Sequence, residues 1–433
     1  MTQISGWGRY PKIEAQVVEC HSDQEYLEAS QSSTDIICHA AGRSYGDSAL
    51  NAEVIKTTQN NAFLDFDEDT GLLYCESGAT LAEIIEVFVP RGWFLKVTPG
   101  TKFVTVGGAI ASDVHGKNHH IKGCFSNGVE SLELLLPNGE VVVCSANDNQ
   151  DFFQATCGGM GLTGVILRAK ISLQKISSQY VNQKTIKCEN LEAMFRGFEQ
   201  VATASYSVAW IDCLASGSKL GKGLVMSGEF SDDGDLGLPK QKQSSLPFEF
   251  PRWVLNPLAI KAFNWLYFNK VKKGISNQRV SLDTFFYPLD HISGWNKMYG
   301  RKGFLQYQFI LPLENSLDGM KQILTLIGNS KLGSFLAVLK LYGESNDNWL
   351  SFPMKGYSLA LDFKYQPKLL PLLDKLDQIV MKCGGRIYLA KDARVNKSVF
   401  QAGYPKIEEF RSFRKKHGLD KTYNSIQSKR LEI

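Results

Sequence analysis

The run "PGTKFVTVGGAIASDVHGKNHH", Pro99 to His120, decides how this chain is read. It turns at Pro99-Gly100 and then passes Gly107, Gly108, Ala109, Ala111 and Ser112, a backbone nearly bare of side chains. Three of the chain's seven histidines follow at once: His115, His119 and His120. Small residues let another group approach the main chain closely. Two readings compete: the histidines form a metal set, or the bare backbone lies against a large ligand. His115 and His119 stand four apart, the spacing with which one helix face holds zinc. Gly107, Gly108 and Gly116 argue against a helix, and no Asp or Glu completes a familiar spacing. No metal is expected.

Composition sets the outer bounds. A length of 433 residues predicts two or three domains. A net charge of +4 gives no reason to expect nucleic acid as a partner. The nine cysteines stand singly, with no CxxC, so reduced thiols and a cytoplasmic setting are expected. The N-terminus lacks the basic and apolar regions of a signal peptide, and no apolar run approaches the ~20 residues that span a bilayer.

Outward from the opening run, Gly42–Asp47 (GRSYGD) follows a strand predicted over Asp35–Ala40. This loop and Pro99–Gly108 can each aim several N–H groups at one point and so bind an anion. Gly159–Gly164 (GMGLTG) matches G-x-G-x-x-G, but it follows a predicted helix at Asp151–Ala155 and opens a strand, VILRAKISL. A nicotinamide-binding unit needs the reverse order, so that reading is rejected. Thr80 and Glu83 predict a capping box for a helix within Gly78–Trp93. Pro137–Gly139 predicts a hairpin turn. The texture changes near residue 178 and again near 385. In Ser244–Ser276, Trp253, Phe263, Trp265, Tyr267 and Phe268 mix with Lys261, Lys270, Lys272 and Lys273, a pattern suited either to a packed helix pair or to a membrane interface.

The combination GRSYGD (42–47), the opening run (99–120), GGMGLTGVILRA (158–169), AWID (209–212), YPLD (287–290), GFLQYQF (303–309), GGRIYLAKDAR (384–394) and RLEI (430–433) resembles FAD-binding oxidoreductases of the vanillyl-alcohol-oxidase (PCMH-type) superfamily. Within them it is most similar to the oxidases of polyprenyl-phospho-ribose. The resemblance implies an α+β, two-domain PCMH-type fold. Residues 1–178, completed by 385–433, would bind FAD. Residues 179–384 would form a substrate domain of antiparallel sheet and helices.

It also implies a cofactor site. Gly42, Arg43, Ser44, Tyr45, Gly46 and Asp47 would cradle FAD together with Thr98, Pro99, Gly100 and Thr101. Val104, Thr105, Gly107, Gly108, Ala109, Ala111 and Ser112 would continue the cradle. Gly116, Asn118, His119, Thr163, Gly164, Ile166 and Tyr388 would complete it. Many members tether the flavin through a histidine in a GRxHS-like loop. Tyr45 stands there in this chain, so non-covalent FAD is expected. His115, Lys391, Gln308 and Tyr287 are the catalytic candidates, with the base left open among His115, Tyr287 and Lys391. Lys117, Gln306 and Lys340 are expected at the substrate. Ser358 and Ala360 replace an Asn and a Cys of actinobacterial members.

The implied reaction oxidises the 2'-hydroxyl of a polyprenyl-phospho-ribose to a 2'-keto sugar, the first half of an epimerisation to the arabinose donor of cell-wall glycan synthesis. A separate NAD(P)H-dependent short-chain reductase would complete it. Ser244–Ser276 would meet the lipid tail, with the protein cytoplasmic and peripheral at the inner face of the plasma membrane. Oxidation of a free sugar, alditol or aldonolactone is the rival enzyme reading. A non-catalytic metal protein built on the histidine trio is the rival outside catalysis.

Overall fold

The computed structural model describes residues 1–239, 244–246, 249, 257–272, 274–330, 332–334 and 336–433. Among these residues the strands sort into successive sheets along the chain. The first sheet holds β1 (Thr2–Ser5), β2 (Lys12–Glu19), β3 (Ile36–His39) and β4 (Glu53–Lys56), in the order β1-β2-β4-β3. β4 pairs in parallel with both β2 and β3. The second is antiparallel: β5 (Phe63–Asp67), β6 (Leu72–Glu76), β7 (Trp93–Leu95), β8 (Val129–Leu135), β9 (Val141–Cys144) and β10 (Val165–Lys175). The long β10 pairs with β6, β8 and β7. Val165, Leu167, Ala169, Ile171 and Leu173 are buried along it, the period of two expected of a strand with one core face.

The third and largest sheet contains β11 (Tyr180–Cys188), β12 (Tyr206–Ile211), β13 (Gly223–Phe230), β15 (Ile275–Ser281), β17 (Phe304–Pro312), β18 (Ala337–Tyr342), β19 (Gly356–Lys364) and β20 (Arg386–Ile387). Its order is β15-β11-β13-β12-β18-β19-β17-β20. The short β14 (Ser244–Ser245) and β16 (Ile292–Ser293) pair apart from it.

The two faces of the third sheet differ. Tyr307, Phe309, Leu359 and Leu361 are buried, and the Tyr307 hydroxyl donates to Asp377 of the helix Leu370–Lys382. The helix Leu313–Ser330 closes the same side with Met320, Ile323, Leu324 and Ile327, the 3.6-residue stripe of a core-facing helix. The alternating residues point the other way and are polar at the centre: Gln306 and Gln308 on β17, Ser358 and Asp362 on β19, Lys340 on β18.

The chain then returns to its beginning. Beyond β20, the Ile36 amide donates to Thr422 and the Asn424 amide to Ile36. Arg414, 1% exposed, donates to the carbonyls of Leu162, Leu419, Tyr423 and Ile433. Arg430 bridges Asp47 (2.9 Å) and Asp392 (2.8 Å). Asp392 also anchors the chain at Gly46, whose added Cβ would lie 1.6 Å from the Asp392 carbonyl.

Predicted local elements match those observed. The helix Leu81–Phe88 has its capping box from Thr80 and Glu83, the hairpin β8–β9 turns through Gly139, and a helix covers Gln150–Thr156. One expectation is corrected. Gly107 and Gly108 do lie in a helix, Val106–Ala111. Glycine costs a helix about 1 kcal/mol relative to alanine. Here Thr105 caps the Gly108 amide, Val106, Ala109 and Ile110 are buried, and a Cβ on Gly107 would strike Ser77 at 2.9 Å. Close packing outweighs propensity.

Candidate active site

The cradle and the polar face of the third sheet oppose one another. On the cradle side, the amides of Gly42, Arg43, Ser44 and Gly46 have no backbone partner among the described residues, whereas Tyr45 donates to Ala390. Gly42 is left-handed, φ 62°. Among the described residues nothing lies within 4 Å of a Cβ built on Gly100, and the Thr105 Oγ1 lies 3.0 Å from one on Gly108. Asn118 Oδ1, Arg43 Nε and His115 Nδ1 are buried without a hydrogen-bond partner among the described residues. Bare backbone, free amides and orphaned polar atoms fit a long, polar, anionic cofactor. On the remaining side, Thr163 is fully buried and shares a 3.0 Å hydrogen bond with Thr156, Gly164 takes φ 143°, and Ile166 pairs with Leu134 at the start of the β10–β8 ladder beside them.

The opening histidines separate. His115 is not in a helix; it forms an isolated bridge with Cys124. His119 and His120 begin a single turn, His119–Lys122. His119 Nδ1 accepts from the Gly343 amide (3.2 Å) and His120 Nε2 lies 2.9 Å from the Ala204 carbonyl. The i, i+4 spacing therefore never shares a helix face. Burial lowers all three, His119 to about 3 and His115 well below the usual imidazole value, so the rings are neutral at pH 7.

His115 is packed among Tyr342, Phe352 and Tyr388, with ring centroids 5.0–5.6 Å away. Gln308 Nε2 donates to His115 Nε2 at 3.2 Å and to Ser358 Oγ at 3.3 Å. With Nε2 accepting, the neutral ring carries its proton on Nδ1, the orphaned atom, and offers a donor rather than a base. Tyr388, buried and stacked on Phe352 at 4.6 Å, donates to the Ser112 carbonyl at 2.8 Å. It ties the returning segment to the cradle.

The other predicted residues divide. Lys391, on the turn Leu389–Lys391 after β20, holds Nζ 3.8 Å from the centre of the Tyr45 ring. Burial lowers its amine to about 7, with Asp362 opposing and Lys340 reinforcing the shift. Burial lowers Lys340 to about 8. Gln306 and Gln308 lie on the same face as Lys340, as does Ala360, paired directly with Gln308. Tyr287 and Lys117 are engaged elsewhere. The Tyr287 hydroxyl sits 2.6 Å from Thr98 Oγ1, and burial raises its phenol well above 10. The Lys117 ammonium donates to the Phe285 and Phe286 carbonyls. Lys102, bonded to Asp283 (2.6 Å) through its side chain and to Asp290 through its amide, strengthens this same seam.

Two carboxylates escaped the sequence reading. Asp362, 1% exposed, accepts from Gln306 Nε2 at 2.5 Å. Asp113, fully buried at φ 38°, accepts from the Ser126 amide (3.1 Å), Asn346 Nδ2 (2.7 Å), Asn348 Nδ2 (2.9 Å) and Ser351 Oγ (2.6 Å). It fastens the loop bearing His115 to a segment more than two hundred residues later. Only an unexplained Asp within the opening run could have pointed to it.

A bare-backbone cradle facing a polar sheet fits a flavoenzyme, and the comparisons show the family. A model of the FAD binding domain matches residues 15–145. Over all of the chain and 97% of the relative's length, the sequence is 35% identical to decaprenylphosphoryl-beta-D-ribose oxidase of Mycolicibacterium smegmatis. It is 24% identical to L-gulonolactone oxidase of Bos taurus, over 95% of the chain and 92% of that protein. It is 23% identical to Delta(24)-sterol reductase of Macaca fascicularis, over 58% of the chain and 44% of that protein. The chain belongs to the family of FAD-binding oxidoreductases that includes the M. smegmatis oxidase. It is an FAD-dependent oxidoreductase with a PCMH-type α+β fold in two domains.

Proposed function

We propose that this enzyme oxidises the 2'-hydroxyl of a polyprenyl-phospho-ribose, resembling decaprenylphosphoryl-β-D-ribose, to the 2'-keto sugar. The observation that carries the reading is the polar floor of the pocket: two amides, Gln306 and Gln308, for sugar hydroxyls, with Lys340 and Lys391 supplying positive charge for a phosphate. Full-length similarity to an oxidase of that substrate supports it. FAD, when bound, accepts the hydride from the carbinol carbon. We assign the cradle residues of 42–47, 98–112 and 116–119, with Thr163, Gly164, Ile166 and Tyr388, to holding it, and residues 1–178 with 385–433 to the FAD-binding domain. Residues 179–384 are assigned to the substrate domain. We infer non-covalent attachment, because Tyr45 stands where the resemblance to the wider superfamily places a tethering histidine. Flavin that stays with acid-precipitated protein would contradict this.

Lys391 takes the hydroxyl proton. Its amine is neutral in a substantial fraction at pH 7, as a general base needs. His115 donates through Nδ1 and keeps Gln308 in register. Tyr287 holds Thr98 and the cradle rather than substrate.

The lipid tail leaves toward the helix Pro257–Asn269. Trp210 lies across from Val338 on the sheet face that bears Lys340, and it packs against Tyr267 of that helix at 4.8 Å. Three strand spacings, about 14 Å, separate Trp210 from the Gln308 strand. Ile260, Asn264 and Phe268 face inward, whereas Leu258, Trp265 (61% exposed) and Leu266 face solvent near Lys261 and Lys270. An apolar face flanked by lysines suits an anionic membrane surface. Trp253 and Lys273 lie outside the described residues. Among those described, no helix is long and apolar enough to cross a membrane. We place the enzyme as the oxidising partner of an epimerase in cell-wall glycan synthesis, cytoplasmic and peripheral at the inner face of the plasma membrane. An NAD(P)H-dependent short-chain reductase receives the keto sugar.

Anaerobic flavin bleaching tests the substrate. Polyprenyl-phospho-ribose is expected to bleach the flavin at far lower concentration than free ribose, alditols or aldonolactones. Bleaching by a free sugar or lactone at equal efficiency would replace this reading with the soluble-substrate one.

A further inference from the structure

Asp362 stands on the pocket face of β19, directly opposite Gln306 on β17. Gln306 donates to its Oδ1, and the Tyr299 hydroxyl lies 3.5 Å from its Oδ2. A carboxylate has about four acceptor positions, so this support is thin for a group 1% exposed. Tyr299 itself is stacked on Phe304 at 4.2 Å. The Tyr45 hydroxyl faces Gln306, and Lys391 Nζ lies over the Tyr45 ring. The charge of Lys391 in turn acts on Asp362. Asp362, Gln306, Tyr45 and Lys391 thereby close a ring around one corner of the pocket.

We propose that Asp362 is a positioning residue for the oxidation: it orients the Gln306 carboxamide and supplies the negative charge that draws the proton onto Lys391. The inference rests on Lys391 as proton acceptor. An ionised carboxylate only accepts hydrogen bonds, so it keeps Gln306 Nε2 toward itself and leaves Oε1 for Tyr45 and the sugar. In the reaction the substrate O–H bond breaks and its proton joins the Lys391 lone pair. The carbinol C–H pair would leave as the hydride that FAD, when bound, would take up, and the C=O bond would form. The new ammonium meets Lys340, which repels it, the face of Tyr45, the neutral His115, and Asp362. Among these described groups only Asp362 carries the opposite charge, the Tyr45 face adding the weaker attraction of a ring for a cation. Burial pushes the Asp362 carboxyl up to about 7 while Gln306, Lys391 and Tyr299 favour its ionised form, so loss of any of them weakens it.

The test reads Lys391 without substrate. FAD-loaded enzyme is labelled competitively with acetic anhydride across a pH series, and acetylation of the Lys391 peptide is followed by mass spectrometry. In Asp362→Asn the Lys391 midpoint is expected to move to lower pH by about one unit, because an anion that favours the ammonium has gone. Gln306→Leu, which keeps the carboxylate but removes its donor, is expected to shift the midpoint the same way by less. It serves if Asp362→Asn fails to fold. An unmoved midpoint in a folded, flavin-loaded variant overturns the proposal. A moved midpoint in an enzyme whose flavin polyprenyl-phospho-ribose does not bleach upholds the role of Asp362 and removes the substrate reading instead.

Discussion

Asp113→Asn removes one charge and almost no volume, and its effect can be worked out from four contacts. Asn tolerates positive φ as Asp does, so the backbone at φ 38° adds little strain. The retained carbonyl still accepts from the Ser126 amide. The new amide faces Asn346 Nδ2, Asn348 Nδ2 and Ser351 Oγ, all donors to the original Oδ2. The Ser351 hydroxyl can rotate and accept; the two amides meet a donor. Two charge-assisted hydrogen bonds at roughly 1.5–3 kcal/mol each are lost, partly offset by no longer burying a charge. A net cost of about 3 kcal/mol follows. At ~2.1 cal/mol/K per residue this lowers the Tm by about 3 °C if the chain unfolds as one unit, and by more if its halves unfold separately. Thermal unfolding with and without FAD measures the loss, and FAD titration measures the cradle. Because Asp113 lies two residues before His115, flavin affinity is expected to fall as well. Stability within 0.5 kcal/mol of the parent, by the ~0.5 kcal/mol range of ordinary surface changes, would refute the view of Asp113 as the clasp.

Other outcomes follow from the same geometry. Flavin reduction by substrate should rise with pH to a plateau, with its midpoint near the Lys391 value of about 7, and Lys391→Met should slow it by roughly 10²–10⁴-fold; a flat profile in stopped-flow traces would remove Lys391 as the base. The same variant should melt higher than the parent at neutral pH. The folded-state amine is depressed, so between about 7 and its ordinary value the unfolded chain binds the extra proton and stability rises with pH; Met ends that dependence. Gly100→Val projects where no described atom lies within 4 Å of the added Cβ, so bound FAD per chain should fall while the apoprotein melts close to the parent temperature. Trp265→Ser with Leu266→Ser should leave flavin content unchanged and weaken cosedimentation with anionic vesicles; undiminished binding would exclude this helix as the contact.

Local elements were legible because their causes are local. A capping box, a Pro-Asn-Gly turn and the alternation in β10 each act within a few residues, and each appears where the pattern places it. The small residues assigned to the cradle stand out for a related reason: a backbone that must be approached closely excludes side chains, and their absence can be read directly. The glycines misled once, at Val106–Ala111, because contact with Ser77 demands Gly107 and local propensity knows nothing of Ser77. The roles within the pocket were out of reach. Tyr287 and Lys117 are of the right residue types, but whether such a group faces substrate or a neighbour depends on contacts with residues as distant as Thr98 and Phe285. Asp113 and Asp362 look ordinary along the chain. Their importance comes from burial and from partners assembled by sheet register and long-range packing, so the sequence by itself determined the cofactor class and many of the local strands and turns, while the tertiary structure alone decided which partners each buried charge meets.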